Sequence, residues 1–222
     1  MAELLIEILS EEIPARMQVR VAEEFQSIIM NSLSNAGLVS DSNKSSSYVS
    51  PRRLVVVVND LPTKTPDVSA ERKGPRVGAP QKAINGFLGS LGLQLKDLHK
   101  RKTKKGEFYF VDISNKGQET STILKELMED AISRVKWPKS MRWANNKQRW
   151  VRPIHSLICI FDNEIVPVSY GSCVAGRKTS AHRFLTNAIL EVSDFADYKK
   201  ALEIGHVIID SNDRKRKIMP NY

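Results

Sequence analysis

Two adjacent arginines, Arg52 and Arg53, are the first residues along this 222-residue chain whose chemistry suggests a ligand. They follow Pro51 and precede four consecutive valines, Val55 to Val58, which predict a strand buried on both faces. Guanidinium groups at the entrance of such a strand could bind a phosphate through paired hydrogen bonds. Alternatively, they pair with local carboxylates, because surface ion pairs are common and weak. The sequence leaves both interpretations open.

A second cationic cluster consists of Arg72, Lys73 and Arg76, which lie on both sides of Gly74. Glycine has no side chain, so the backbone at this position could approach a ligand closely. The surrounding stretch 61–80 contains four prolines among charged residues, which predicts irregular or edge-strand backbone. A solvated loop is the competing interpretation of this cluster.

Cations and indoles are interleaved between residues 137 and 152, where all three tryptophans lie. Arg142 precedes Trp143, and Arg152 follows Trp150 by two positions. This combination could stack on RNA bases while it neutralises backbone phosphates. Tryptophan rings are also buried for their large apolar area, with arginines lying across them, so structural packing is the alternative.

The pair His182 and Arg183, followed by Phe184, could in principle supply an acid and a base. A neighbouring cation disfavours the protonated imidazole, however, and no adjacent carboxylate orients the ring. We therefore expect a structural or binding role for this pair rather than catalysis.

Familiar catalytic signatures are missing from the sequence. It has no glycine-rich phosphate loop with Lys and Ser or Thr, no histidine pair one helical turn apart, no Gly-x-Ser-x-Gly elbow and no Cys-x-x-Cys pair. The two cysteines, Cys159 and Cys173, are too few for a disulfide scaffold or a zinc site and are expected to be reduced thiols. We therefore expect no catalytic residue, no metal site and no bound cofactor in this chain.

The net charge of +9 is unevenly distributed. Residues 1–50 carry 3 basic and 7 acidic side chains, whereas residues 51–150 carry 21 and 10. Clustered Lys and Arg can neutralise phosphates and release their counterions, so the middle of the chain suggests a polyanionic partner. No run approaches the roughly 18 to 20 apolar residues of a membrane span, and Met1-Ala2-Glu3 does not begin a signal peptide, so we expect a cytoplasmic protein without membrane contact.

Short strands and helices in mixed order must position these residues. The apolar run 4–9 predicts a buried strand, and Pro14 suits the first turn of a helix that ends at Gly37. Further strands are predicted at 55–58, 108–111, 154–161, 165–170 and 206–209, the second of them reached through the basic turn 99–106, and further helices at 83–91, 123–135 and 193–204. Because no βαβ repeat is sustained, we expect an α+β fold with mixed or antiparallel sheets and packed helices. We divide the chain into an N-terminal α+β region, 1–136, and a second α+β segment, 137–222, which is packed on or continuous with the first and truncated at its C-terminal end.

In their order along the chain, these clusters resemble the N-terminal part of the β-subunit of bacterial heterotetrameric glycyl-tRNA synthetase. The most specific similarity is residues 3–15, where a strand runs into Glu11-Glu12-Ile13-Pro14. The resemblance also rests on Pro51-Arg52-Arg53-Leu54, Arg72-Lys73-Gly74-Pro75, Met141-Arg142-Trp143, Val151-Arg152-Pro153-Ile154-His155 and His182-Arg183-Phe184. Ala144 and Ser156 depart from the family, which usually has glycine and tryptophan at these places. The chain thus resembles an N-terminal fragment of a longer subunit.

The resemblance implies an α2β2 ligase that joins glycine to tRNA(Gly) with ATP and magnesium, at an aminoacylation site on the α-subunit. The β-subunit would contribute tRNA binding and assembly, with an N-terminal fold similar to the editing-type domain in the β-subunit of phenylalanyl-tRNA synthetase. The fragment alone is expected to be inactive. The residues expected to contact tRNA are Arg52, Arg53, Arg72, Lys73, Arg76, Arg142, Arg152, His182 and Arg183. Two alternatives remain open: a hydrolytic module that acts on mischarged tRNA, with His182 or His155 positioning water, and a purely structural assembly domain.

Overall fold

The computed structural model describes residues 2–40, 43–91, 94–103, 106–115 and 117–219. Its helices are α1 (Ala15–Asn35), α2 (Gln81–Leu91), α3 (Thr120–Arg134), α4 (Phe195–Ile204) and α5 (Ser211–Ile218), with one 3-10 turn at Leu95–Asp97. Its strands are β1 (Ala2–Ser10), β2 (Ser45–Ser50), β3 (Arg53–Leu61), β4 (Val68–Arg76), β5 (Leu98–Thr103), β6 (Gly106–Asn115), β7 (Ile154–Phe161), β8 (Glu164–Ile165), β9 (Ser169–Tyr170), β10 (Cys173–Val174), β11 (Lys178–Ser180) and β12 (Ile189–Glu191). Contacts divide the chain into a first unit, residues 1–65 and 119–222, and a second unit, residues 66–118.

The first unit is built around an antiparallel five-stranded sheet with the order β2-β3-β1-β7-β8. Its central strands are apolar on both faces, because side chains alternate across a strand and both faces are covered by helices. On one face, Val56 and Val58 join the core under α1 and α3. On the other, Val55 and Val57 pack with side chains of α4. The predicted strand of four valines, buried on both faces, is therefore confirmed.

The second unit is a three-stranded antiparallel sheet with the order β4-β6-β5, accompanied by α2. The edge strand predicted within 61–80 is β4, and the strand predicted at 108–111 lies inside β6. The prediction of a basic turn at 99–106 was wrong for residues 99–103, which form most of strand β5. Lys and Arg are typical of exposed edge strands, where their charge prevents pairing with another chain.

The α+β prediction is confirmed, because the described residues form five helices and antiparallel sheets in mixed order. The similarity to the phenylalanyl-tRNA synthetase editing-type domain stays a prediction. The division into 1–136 and 137–222 stays a prediction: β7 pairs with β1 across this boundary, and the compact units are the first and second units given above. The strand predicted at 206–209 was wrong, because these residues lie outside the strands. None of the described helices combines the length and apolar character that crossing a membrane requires.

Candidate functional site

A buried carboxylate, Glu7, ties Arg53 into the interior of the first unit. Glu7 is fully buried in β1, and Arg53, only 4% exposed, places Nε 3.3 Å from its Oε2. The Tyr198 hydroxyl of α4 donates to the same oxygen, and a guanidinium N–H of Arg53 donates to the Ser180 carbonyl. Burial, reinforced by the Glu7 charge, raises the pKa of the Tyr198 phenol well above its usual value, so the phenol remains a neutral donor. Arg53 is thus committed to partners inside the protein.

A second carboxylate, Glu11, is the centre of an exposed ion-pair cluster just beyond the end of β1. The His155 ring N–H donates to Glu11 Oε1 over 2.8 Å, while Arg183 lies 3.4 Å from Oε2 and Arg52 lies 3.9 Å from Oε1. Arg183 is also 3.9 Å from Glu12. Both Arg52 and Arg53 therefore pair with carboxylates of the first unit, and their contact with tRNA stays a prediction. The sequence has no carboxylate adjacent to His182. In the structure the Glu11 carboxylate contacts His155 and Arg183.

These contacts shift the acidity of Glu11. The hydrogen bond from His155 holds the pKa of the Glu11 carboxyl below its usual value of 4.5, and the charges of Arg52, His155 and Arg183 act in the same direction against the opposing effect of burial. A carboxyl whose pKa is lower in the folded state stabilises the fold above pH 4.5. That contribution disappears as the pH falls through the folded-state pKa.

We expect Glu11→Gln to reduce the difference in unfolding free energy between pH 7 and pH 3. The glutamine keeps the shape but cannot titrate, so the change should be up to about 1 kcal/mol, the scale of exposed ion pairs. Urea denaturation of both proteins at the two pH values measures it. An unchanged difference would mean that the Glu11 cluster does not contribute to acid sensitivity.

A cleft of about 370 Å³ brings four of the predicted site residues together in the first unit: Arg52, Arg53, His182 and Arg183. Arg214 also lines it but is structural, because it donates to the carbonyls of Ile208 at 2.7 Å and Val49 at 3.1 Å. His206, Phe184 and Glu12 also line this cleft. Sequence reasoning gave no role to Arg214 or His206, since neither stands in a cationic-aromatic cluster of the primary sequence.

The tryptophan segment is largely structural. Trp150 is 1% exposed, and its ring packs edge-on against Trp137 and Tyr170 with centroid separations of 5.0 and 5.8 Å. The packing alternative is therefore confirmed for Trp150. Arg142 and Arg152 are exposed and make no ion pair within the part of the chain that the structure describes, so their contact with RNA stays a prediction.

In the second unit, Arg72, Lys73 and Arg76 lie on the edge strand β4 and are exposed. The Lys73 ammonium lies 3.5 Å from the centre of the Phe108 ring, a cation–π contact. Gly74 serves helix packing: a Cβ atom there would lie 2.7 Å from the Phe87 ring of α2. The close approach predicted at this glycine is thus made by a side chain of the same unit.

Among the described side chains, no group of three or more His, Cys, Asp or Glu is placed to hold a metal ion.

Comparisons with known proteins identify relatives over nearly the whole chain. A family model described as "Glycyl-tRNA synthetase beta subunit" matches residues 4–222. Two curated proteins named glycine–tRNA ligase beta subunit, from Rhodospirillum centenum and Dinoroseobacter shibae, are 41% identical over 244 residues and 42% identical over 222 residues. These alignments cover 99% and 98% of this chain but 34% and 31% of the relatives. The chain therefore spans about a third of the length of the curated relatives it matches.

Proposed function

The chain belongs to the family of glycyl-tRNA synthetase β-subunits, and we propose that it is the N-terminal part of a subunit that supports the attachment of glycine to tRNA. The family match over residues 4–222 is the observation that carries this proposal. In this proposal the aminoacylation site, with its ATP and magnesium, belongs to an α-subunit, and this chain contributes tRNA binding to a cytoplasmic α2β2 assembly. Assembly with the α-subunit is proposed from the family alone.

The second unit is the part whose charge best suits tRNA. Residues 66–118 carry 11 basic and 5 acidic side chains, so a quarter of the chain holds +6 of its net +9. Binding of a polyanion through clustered Lys and Arg is favoured by the release of counterions from its phosphates. The first unit offers less, since its 169 residues hold only +3 of the net charge.

Strand register divides the cations of β4 and β5 between the two faces of the sheet. Arg72, Lys100 and Lys102 stand opposite Val111, Tyr109 and Glu107 on one face, and Lys73, Arg76 and Arg101 lie on the other. Arg76 of β4 and Arg101 of β5 both stand opposite Phe108 of the central strand β6, and Lys73 stands opposite Phe110. Because directly opposed residues share a face, these three cations and two rings belong to the same side of the sheet. We call this set, Lys73, Arg76, Arg101, Phe108 and Phe110, the cationic sheet face.

The rings of the cationic sheet face hold its cations in place. Lys73 lies over Phe108, the Arg101 guanidinium lies 5.7 Å from the Phe110 ring centre, and Glu71 accepts from Arg101 at 2.9 Å through both oxygens. Phe110 is only 8% exposed, and Lys73 lies directly over the half-buried Phe108 ring, so neither ring is open to a stacking base. We therefore propose that this face binds backbone phosphates, independently of base sequence.

Replacing Lys73, Arg76 and Arg101 together with glutamine should weaken tRNA binding and reduce its dependence on salt. Each lost phosphate contact lowers the slope of log affinity against log salt by about 0.7 to 0.9, so we expect the slope to fall by roughly 2 to 3. Titrations of the chain with tRNA(Gly) between about 50 and 200 mM salt measure this slope.

Lys125, Lys139 and Lys147 provide the matched control, because they are exposed cations of the first unit. Their replacement with glutamine removes the same charge but should leave the slope of log affinity against log salt nearly unchanged. Glu71→Gln should tighten tRNA binding, since it removes the carboxylate that pairs with Arg101 of the cationic sheet face. If both triple variants lost the same amount of salt dependence, tRNA binding would depend only on the net charge of the chain. The proposal that tRNA binds at the cationic sheet face would then be wrong.

The hydrolytic alternative is based on the contact between His155 and Glu11, because a carboxylate can orient a histidine that acts as a general base. The same carboxylate also faces Arg52 and Arg183, so ion pairing accounts for its position. We therefore propose binding rather than hydrolysis for this part of the chain.

A further inference from the structure

Phe184 is the most exposed large hydrophobic residue in the described part of the chain, with 79% of its surface in solvent. It lies in the loop between β11 and β12 and lines the cleft of the first unit. An exposed phenylalanine forgoes the free energy that burial of its ring would contribute. Because it lies at the edge of a cleft, the exposed ring could contact a ligand that binds there.

The loop presents Phe184 in a defined way. The His182 N–H donates to the Gly205 carbonyl at 2.8 Å, and the His182 carbonyl accepts from Thr186 and Asn187 at 3.2 and 3.1 Å. The Phe184 N–H points to the His182 ring nitrogen at 3.3 Å. These bonds fix the turn from which the aromatic ring projects.

The Phe184 ring lies beside an arginine and a histidine side chain. The Arg183 guanidinium lies 5.0 Å from the Phe184 ring centre, and the His182 ring lies 6.1 Å away. Arg52 and the buried Arg53 line the same cleft, whose volume of about 370 Å³ is within the range of small-ligand sites. An aromatic ring beside cations is the arrangement with which proteins bind unpaired nucleotides.

Arg183 can exchange its partners at little cost. Its contacts with Glu11 and Glu12 are 3.4 and 3.9 Å long, and 40% of its side chain is exposed. Such ion pairs contribute little to stability, whereas an arginine can bind a phosphate through two parallel hydrogen bonds. A phosphate that enters the cleft can therefore displace both carboxylates.

We infer that Phe184 and Arg183 bind an unpaired nucleotide of an RNA strand, with its base stacked on the phenylalanine ring and its phosphate on the guanidinium. This inference rests on the proposed function that the chain binds tRNA, and adds a site for single-stranded RNA. Bases within a duplex are already stacked, so only an unpaired base can use the ring. Phenylalanine and arginine are also enriched at protein interfaces, so a protein partner is one of the outcomes that the test distinguishes.

Phe184→Ala in the 222-residue chain tests the inference, with a single-stranded RNA hexamer and an RNA duplex of the same length as probes. Loss of one stacked base should weaken binding of the hexamer roughly 5- to 150-fold, while duplex affinity stays within about twofold. Phe184→Trp should retain hexamer binding, because indole also stacks. Leu185→Ala is the matched control: its side chain is 65% exposed in the same loop but cannot stack on a base.

Equal weakening by Leu185→Ala, or equal weakening of duplex and hexamer, would overturn the inference. Two other outcomes of Phe184→Ala would also overturn it. A loss of ATP binding with unchanged hexamer binding would assign the site to a free nucleotide. A loss of co-elution with the α-subunit, with unchanged hexamer binding, would assign the site to a protein partner. If the unmodified chain binds tRNA and Phe184→Ala changes nothing, only this inference fails. If the unmodified chain binds no tRNA, the proposed function fails first.

Discussion

Replacing Arg53 with leucine should lower the free energy of unfolding of the first unit by about 3 to 5 kcal/mol. Glu7 is fully buried, and Arg53 supplies the positive charge that faces it at 3.3 Å. Without Arg53 the carboxylate keeps the Tyr198 hydroxyl as a donor but has no compensating charge in a medium of low polarity. Urea denaturation followed by tryptophan fluorescence measures the loss, because all three tryptophans lie in the first unit.

The double variant Glu7→Leu with Arg53→Leu separates a lost charge from lost packing. Two apolar side chains in place of a buried ion pair are often neutral or stabilising, so the double variant should recover most of the stability that Arg53→Leu loses. Arg52→Leu is the matched control, since Arg52 is partly exposed and lies 3.9 Å from its carboxylate. It should change the unfolding free energy by no more than about 1 kcal/mol. An Arg53→Leu protein as stable as Arg52→Leu would show that the buried pair is not required.

The sequence predicts that Arg52 and Arg53 are chemically important, but it does not predict that their environments differ. The sequence presents the two arginines as one cluster, but only Arg53 belongs to β3, where its side chain lies on the same face as Val55, under α4. A signal for its partner is present: Glu7 interrupts the otherwise apolar run 4–9. A lone carboxylate in a strand buried on both faces requires a buried cation or donor, although the sequence alone does not say which one.

Strand β5 and helix α5 are among the elements that the sequence does not predict, because both lack an apolar pattern. Strand β5 consists largely of Lys, Arg and His, and it forms because β6 offers it a ladder partner. Helix α5 buries none of its residues, so it shows no hydrophobic periodicity. Its signals are local instead: the Asp210 side chain accepts from the Asn212 N–H at 2.8 Å, and Lys and Arg fill the last turn.

The candidate site depends on contacts between distant parts of the chain. Glu11 and His155 are 144 positions apart, and they meet because β1 and β7 pair as neighbours with Ser10 opposite Ile154. The Glu11 N–H also donates to the Pro153 carbonyl at 2.9 Å. The sequence identified the individual cations, but strand order decides which carboxylate each of them faces, and a strand pattern does not encode that order.

Trp150→Ala should also destabilise the first unit by about 3 to 5 kcal/mol, the usual cost of removing a large aromatic side chain from a core. The ring is 1% exposed and lies between Trp137 and Tyr170. Its backbone also pairs with Met141 in both directions, at 2.8 and 3.1 Å, so the segment around it depends on this residue for its position. Urea denaturation followed by far-ultraviolet circular dichroism measures the loss without relying on the fluorescence of the deleted indole.

Trp150→Phe distinguishes packing from hydrogen bonding. The Trp150 indole N–H is buried and has no hydrogen-bond partner among the described residues. Phenylalanine therefore removes an unsatisfied donor while it keeps much of the ring contact, and it should cost clearly less than alanine. Lys147→Ala, an exposed change in the same segment, should stay within about 0.5 kcal/mol of the unmodified chain. If Trp150→Ala were as mild as Lys147→Ala, the ring would not be a core residue, and interleaved cations and indoles could again be interpreted as a surface for RNA.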